Sequence, residues 1–144
     1  MDKIEEFITH SEKETAKIAA DLAAQLSSGA VICLYGTLGA GKSVFARECI
    51  RKLCNNKHLE VPSPTFTLVQ TYDSDSASIS HYDLYRIEDP EEIYELDWEE
   101  SLDGITIIEW PERLGQLKPA KTLDITITVH DNNADTRKIQ IRRA

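Results

Sequence analysis

One short stretch of the chain has the residue types and the spacing of a phosphate-binding loop. It fits the pattern G-x-x-x-x-G-K-[ST], and its residues are Gly36, Thr37, Leu38, Gly39, Ala40, Gly41, Lys42 and Ser43. The glycines allow a tight turn whose backbone N–H groups converge on an anion. Lys42 can reach the outer phosphates of a nucleotide, and the Ser43 hydroxyl can ligate the Mg²⁺ that bridges them. Leu38 stands where the dinucleotide fingerprint needs glycine, so the pattern predicts a P-loop.

Two acidic residues end predicted strands, where a phosphoryl-transfer site needs them. Glu109 follows the apolar run 105–108, and an acid in that position holds Mg²⁺ directly or through water. Asp83 ends another strand and could align water or the metal's shell. Because the chain has 25 acids, the alternative for each is a surface acid at a strand end.

Three further residues near these motifs have candidate roles. Thr65 follows Pro64, which stiffens the loop, so Thr65 could sense a γ-phosphate and its Mg²⁺ as GTPase switch loops do. The alternative is an ordinary proline turn that enters a strand. His81 has no second His or Cys at metal-ligand spacing, which favours a packed or solvent-facing side chain over a ligand. Trp110 is interpreted as core or as contact surface.

The hydrophobic pattern predicts the elements that hold these residues. A helix over 11–27 begins with a Ser11/Glu14 capping box, an apolar run over 30–35 predicts a buried strand, and a helix follows from Ser43 to about Cys54. The other predicted elements are a hairpin (66–72 and 77–83), a helix capped by Asp89 before Pro90, a buried strand (104–110) and a terminal hairpin (123–129 with 139–141). We expect a single α/β domain over 1–144, with a P-loop NTPase-like mixed sheet, a parallel core, antiparallel hairpins and flanking helices.

The composition excludes several classes of protein. The chain has 144 residues and a formal net charge of −9, so its field opposes autonomous, broadly electrostatic binding of nucleic acid. No apolar run is long enough to cross a bilayer, and the acidic N-terminus does not resemble a secretory signal. Three cysteines, Cys33, Cys49 and Cys54, match no zinc spacing. We expect a cytoplasmic protein with reduced, partly buried thiols and no membrane partner.

Four motifs, taken in their order and spacing, resemble the TsaE (YjeE) family. They are GTLGAGKS (36–43), SPTFTLV (63–69), HYDLYR (81–86) and IEWPE (108–112). The P-loop alone belongs to a very large superfamily, and the other three motifs make the resemblance specific. It extends over about residues 9 to 142, which is nearly the whole chain.

The resemblance implies a small α/β fold and an ATPase of tRNA threonylcarbamoyladenosine biosynthesis. Members hydrolyse ATP in association with TsaD and TsaB, which transfer a threonylcarbamoyl group to adenosine 37 of tRNAs reading codons that begin with A. The ATPase resets that complex and does not carry out the transfer, so tRNA is met only through the complex. The resemblance also implies that Trp110 lies by the site and contacts the partner.

Carried over by position, the resemblance assigns roles to individual residues. Lys42 and the loop amides hold the phosphates of ATP, and Ser43 and Glu109 hold Mg²⁺. Thr65 belongs to a switch-like loop, and Asp83 is the acid required for hydrolysis. The chain departs from the usual family pattern at two places: Thr37 stands where the family has Asp, and Ser43 stands where it has Thr.

Two other functions compete with this interpretation. A P-loop small-molecule kinase is disfavoured because only Arg86 and Arg113 lie between the P-loop helix and the terminal hairpin, which leaves no arginine-rich lid to clamp a phosphoryl acceptor. A nucleotide-gated binding module with negligible turnover is the other alternative.

Overall fold

The computed structural model describes residues 3–37 and 39–143, and it contains a seven-stranded sheet with helices on both faces. The elements in chain order are β1 (Lys3–Thr9), α1 (Glu12–Ala23), β2 (Val31–Tyr35), α2 (Lys42–Leu53), β3 (Val69–Asp73), β4 (Ser78–Asp83), a 3₁₀ segment (Pro90–Glu95), α3 (Trp98–Ser101), β5 (Ile105–Glu109), a second 3₁₀ segment (Pro111–Leu117), β6 (Leu123–Val129) and β7 (Arg137–Arg143). Among the described residues, none of the helices has the length and apolar character needed to span a bilayer.

The sheet has a parallel centre and antiparallel edges. Its strand order is β1-β7-β6-β2-β5-β4-β3, and the pairs β6–β2, β2–β5 and β5–β4 are parallel. The hairpins β3–β4 and β6–β7 and the pair β1–β7 are antiparallel. The mixed sheet expected from the sequence, with its parallel core, hairpins and flanking helices, is therefore confirmed.

The central strands are apolar because both of their faces are covered. Ile32 and Leu34 of β2 pack in one hydrophobic cluster with α1 and α2. Val31 and Cys33, on the opposite face, pack in a second cluster with the 3₁₀ segments and α3. Burial on both faces of a parallel strand gives a continuous apolar run in place of alternation, as the sequence predicted for β2 and β5.

The start of α1 agrees with the sequence better than its end, whereas both ends of α2 lie within one residue of the predicted ones. The Ser11 hydroxyl caps α1 by accepting from the Glu14 N–H at 3.1 Å, and Glu14 in turn accepts from the N–H of His10, one residue before the position that a standard capping box uses. However, α1 ends at Ala23 and not at residue 27, so the predicted helix was too long at its C-terminus.

Two edge strands differ from the expectation. The predicted strand 66–72 begins only at Val69, because the Leu68 N–H donates to the Pro64 carbonyl at 2.7 Å and closes a turn that leaves Phe66 83% exposed. β1 was not predicted from the sequence. Apolar and polar residues do not alternate along β1, because the apolar Ile4 and Ile8 lie on its exposed face.

Candidate functional site

The glycine-rich loop joins the carboxyl end of β2 to the amino end of α2, as its motif predicted. Gly36 has φ 153°, and a Cβ built there would lie 2.6 Å from the backbone oxygen of Ile127, so only glycine fits. Gly41 is the N-cap of α2 with φ 113°. The first turn of α2 has no acidic side chain, so the positive end of its dipole faces the loop uncompensated. Leu38 lies outside the described residues.

Lys42 is a buried cation without a carboxylate ion pair among the described residues. Its side chain is 5% exposed, and Nζ donates to the Gly36 carbonyl at 2.6 Å. The same nitrogen lies 3.5 Å from the centroid of the Trp110 ring. Burial lowers the pKa of Lys42, while nearby carboxylates, Glu109 foremost, act in the opposite direction. An anion in the loop would supply the counter-charge that Lys42 lacks.

Asp83 and Glu109 lie side by side at the carboxyl ends of β4 and β5, where they are register partners. They are 7% and 2% exposed, so the alternative of surface acids is wrong for both. The Ser43 hydroxyl donates to Glu109 Oε1 at 3.1 Å. Thr65 Oγ1 lies 3.4 Å from Asp83 Oδ2 and donates to it. The fold thus gathers Lys42, Ser43, Thr65 and the two acids at one edge of the sheet.

Sequence reasoning missed the part that His81 plays in this cluster. Of the two expected positions, packed or facing solvent, the side chain is packed. It also bonds to the site, because Nε2 lies 2.7 Å from Glu109 Oε2. His81 precedes Asp83 by two residues on β4, and residues i and i+2 of a strand share a face. That spacing is the signal that could have revealed it.

Trp110 lies at the rim of the site. Its backbone adopts φ 60° directly after Glu109, an uncommon conformation for a bulky residue. The ring contacts Lys42 on one side and Tyr85 on another, with 4.8 Å between the centroids of the two aromatic rings. This position agrees with the place that the resemblance implies for Trp110.

The oxygen donors of Ser43 and Glu109 fit a magnesium ion. Mg²⁺ takes oxygen ligands at about 2.1 Å in an octahedron, so neighbouring ligands lie about 3 Å apart. Ser43 Oγ and Glu109 Oε1 are separated by 3.1 Å. Within the described ranges, no three His, Cys, Asp or Glu side chains cluster as a metal cage. Such sparse protein ligation suits an ion that phosphates and water also ligate.

A cavity extends from the glycine-rich loop toward the start of α1. Thr15, Gly41, Val44 and Arg137 contribute to its lining. Arg137 Nε donates to the Ala40 carbonyl at 2.7 Å, so the first residue of β7 supports the loop. The cavity therefore lies on one side of the glycine-rich loop, and the acids Asp83 and Glu109 lie on another.

Comparison with solved structures places this arrangement in a known α/β fold. The crystal structure of Bacillus subtilis YdiB matches 99% of this chain and 87% of its own, with a TM-score of 0.78 and 26% sequence identity. The similarity therefore extends over the whole sheet, including the strand ends that carry the candidate site.

Sequence relatives identify the family. The family model "Threonylcarbamoyl adenosine biosynthesis protein TsaE" matches residues 9–139. A Rickettsia conorii protein named tRNA threonylcarbamoyladenosine biosynthesis protein TsaE is 44% identical over 125 residues, which cover 86% of this chain and 71% of the relative. An Aquifex aeolicus protein of the same name is 38% identical over 144 residues and 99% of each chain. The chain belongs to the TsaE family, whose role is in tRNA threonylcarbamoyladenosine biosynthesis, and the resemblance is confirmed.

Proposed function

We propose that this protein is the ATP-binding and ATP-hydrolysing subunit that acts on a TsaD–TsaB complex during threonylcarbamoylation of adenosine 37. One observation carries the proposal: Lys42, Ser43 and Glu109 meet at the mouth of a glycine-rich loop, with Asp83 and Thr65 beside them. That set contains a cation and amides for phosphates, oxygens for Mg²⁺ and an acid for the attacking water.

Each residue of the set has a part in hydrolysis. The loop amides and the amino end of α2 bind the phosphates, and Lys42 turns from the Gly36 carbonyl to the outer phosphate oxygens. Mg²⁺, held by Ser43 and Glu109, would neutralise charge that develops on those oxygens. Asp83 orients the attacking water. Thr65, on a loop that touches Asp83, responds to the γ-phosphate.

The nucleoside belongs in the cavity beside the loop. A nucleotide whose phosphates occupy the loop can extend away from the acids, toward the lining formed by Thr15, Val44 and Arg137. This lining mixes polar and apolar groups, which suits a ribose and a base. ATP is the nucleotide that we assign, on the basis of the family.

The molecular surface supports a protein partner more than direct tRNA contact. With a net charge of −9, the chain repels a phosphodiester backbone. Exposed aromatic side chains lie near the mouth of the site: Phe66 is exposed, with Arg86 over its ring at 5.2 Å, and Tyr85 packs on Trp110. Aromatic and arginine side chains are enriched in protein interfaces. We infer that the protein acts in the cytoplasm and reaches tRNA through TsaD and TsaB.

Phosphate release from ATP tests the proposal. The purified protein is assayed with ATP and Mg²⁺, alone and with TsaD and TsaB, and we expect release to increase when both partners are present. Glu109→Gln should abolish the increase. Glu100→Gln, which changes an exposed acid on α3, is the matched control and should behave as the parent does.

Two results would favour the other functions. Transfer of the γ-phosphate to a metabolite would indicate a small-molecule kinase. ATP binding without turnover in any mixture of the three proteins would indicate a nucleotide-gated binding module. Either result contradicts the ATPase proposal.

A further inference from the structure

His81 makes the shortest hydrogen bond to the acid on which the proposed metal site depends. Its Nε2 lies 2.7 Å from Glu109 Oε2, and the two side chains are 1% and 3% exposed. The other oxygen of the same carboxylate accepts from Ser43. Each oxygen of Glu109 is therefore held by one donor, a histidine on β4 and a serine on α2.

The hydrogen-bond partners of His81 favour a hydrogen on Nε2. Nδ1 of His81 is buried and has no hydrogen-bond partner among the described residues. A hydrogen on Nδ1 would be left without an acceptor, whereas a hydrogen on Nε2 has the Glu109 carboxylate directly in front of it. His81 is thus the donor and Glu109 the acceptor.

We propose that His81 is a positioning residue, whose Nε2–H holds Glu109 so that Oε1 stays beside the Ser43 hydroxyl in the geometry that a divalent cation requires. The inference rests on the proposed function, because it assigns a role toward the metal of that site. A glutamate has three side-chain torsions, and fixing them beforehand reduces the entropic cost of binding the metal. Groups that hydrogen-bond to a ligating carboxylate commonly orient it in this way.

Affinity for Mn²⁺, a spectroscopic substitute for Mg²⁺, tests the role without relying on turnover. The probe is Mn²⁺ titrated into the full chain with a non-hydrolysable ATP analogue and followed by electron paramagnetic resonance. For His81→Asn, whose shorter amide cannot reach Oε2, we expect an affinity lower by about 10- to 100-fold, the usual cost of losing such a partner. His81→Gln places an N–H near the position of Nε2 and should restore most of the affinity.

Two controls separate positioning from packing. In a Glu109→Gln background, His81→Asn should cause no further loss, because His81 acts through that carboxylate. His130→Asn, on the β6–β7 connection, removes a partly exposed histidine and should not change the affinity. Thermal unfolding of each variant shows whether it is folded at the temperature of the titration.

The outcomes distinguish this inference from the function on which it rests. Equal Mn²⁺ affinity for the parent and for folded His81→Asn would overturn the positioning role and leave the proposed function standing. The same loss for the Asn and Gln variants would also overturn it, since a packing role predicts no rescue by a donor. If the parent binds no Mn²⁺ with the nucleotide analogue, both proposals fail.

Discussion

At the scale of single residues, the main feature of the site is that its charged side chains are buried. Burying a charge is costly unless it is paired. Within the described ranges, the Lys42 ammonium group contacts the Gly36 carbonyl and the Trp110 ring, and the nearby carboxylates form no ion pair with it. The Glu109 carboxylate, by contrast, accepts from both Ser43 and His81. Lys42 is thus the charge that lacks a partner, and in the proposed function an incoming phosphate would supply it.

Substitution of the lysine and of the acid should separate binding from hydrolysis. In the proposed function, Lys42→Ala removes a charge-assisted bond to phosphate worth about 1.5–3 kcal/mol, so ATP affinity should decrease by roughly 10- to 150-fold. Glu109→Ala should leave most of the ATP affinity and stop hydrolysis. Calorimetric binding and phosphate release measure the two effects. Equal hydrolysis rates for Glu109→Ala and the parent would show that the assignment of this acid is wrong.

Trp110 should report nucleotide binding by its fluorescence. When phosphate draws the Lys42 ammonium from the ring face, 3.5 Å away in this structure, the emission of Trp110 should change. The second tryptophan, Trp98, is buried against Tyr82 and should report little. We expect ATP to change the emission of the parent and not that of Trp110→Phe. A response of equal size in Trp110→Phe would contradict the contact between Lys42 and the ring as its source.

At the scale of secondary-structure elements, the site is formed by the ends of four of them. β2 delivers the loop, α2 presents Lys42 and Ser43, and β4 and β5 end in the paired acids. Ligands of open α/β sheets generally bind at the carboxyl ends of the parallel strands. The first glycine of the loop lies against the backbone of β6, where a side chain has no room.

Gly36→Ala should damage the loop more than a comparable substitution elsewhere. The new Cβ would lie 2.6 Å from the Ile127 oxygen, so the loop must shift, and we expect ATP affinity to decrease by at least about tenfold with a loss of about 1–3 kcal/mol in stability. Gly29→Ala is the matched control: its φ is also positive, at 94°, but no atom lies within 4 Å. It should lose stability and keep ATP affinity. Calorimetry and urea unfolding measure both, and unchanged affinity in Gly36→Ala would contradict this role.

At the scale of the whole molecule, two hydrophobic clusters enclose the sheet and each contains a cysteine. Cys33 lies in the cluster with the 3₁₀ segments and Cys49 in the cluster with α1 and α2. Burial raises the pKa of the Cys33 thiol from 9.0 to about 12 and that of Cys49 also upward. All three cysteines are free thiols, with Cys33 and Cys49 buried and Cys54 partly buried, which agrees with the expected reduced, partly buried thiols.

Stability should therefore decrease in alkaline solution. Both folded-state pKa values are raised, so this contribution is complete below pH 9 and is lost as pH rises toward 12, where the unfolded thiols ionise first. The slope approaches about 1.4 kcal/mol per pH unit for each buried thiol. Urea unfolding of reduced protein on either side of pH 9 measures it. Cys33→Ala should flatten the slope more than Cys54→Ala, and equal slopes would contradict the assignment.

The sequence by itself determined the loop, its flanking elements and the two acids. The glycine spacing, the apolar run of β2 and the cap of α1 are local features, so their physical causes lie within a few residues of one another. The family motifs added expected roles for Thr65 and Trp110. Local patterns also gave one wrong boundary. The alternation over 66–72 predicted a strand along its whole length, but a turn that ends at Leu68 delays the start of β3 to Val69.

Only the tertiary structure decided how residues far apart in the chain meet. His81 and Glu109 are 28 positions apart, and their contact depends on the parallel pairing of β4 with β5, which no local pattern specifies. The same pairing brings Asp83 beside Glu109, and β1 exists because the exposed edge of β7 accepts it. Strand order arises from burial summed over the whole sheet. The bond between histidine and carboxylate is therefore a property of the fold, not of either motif.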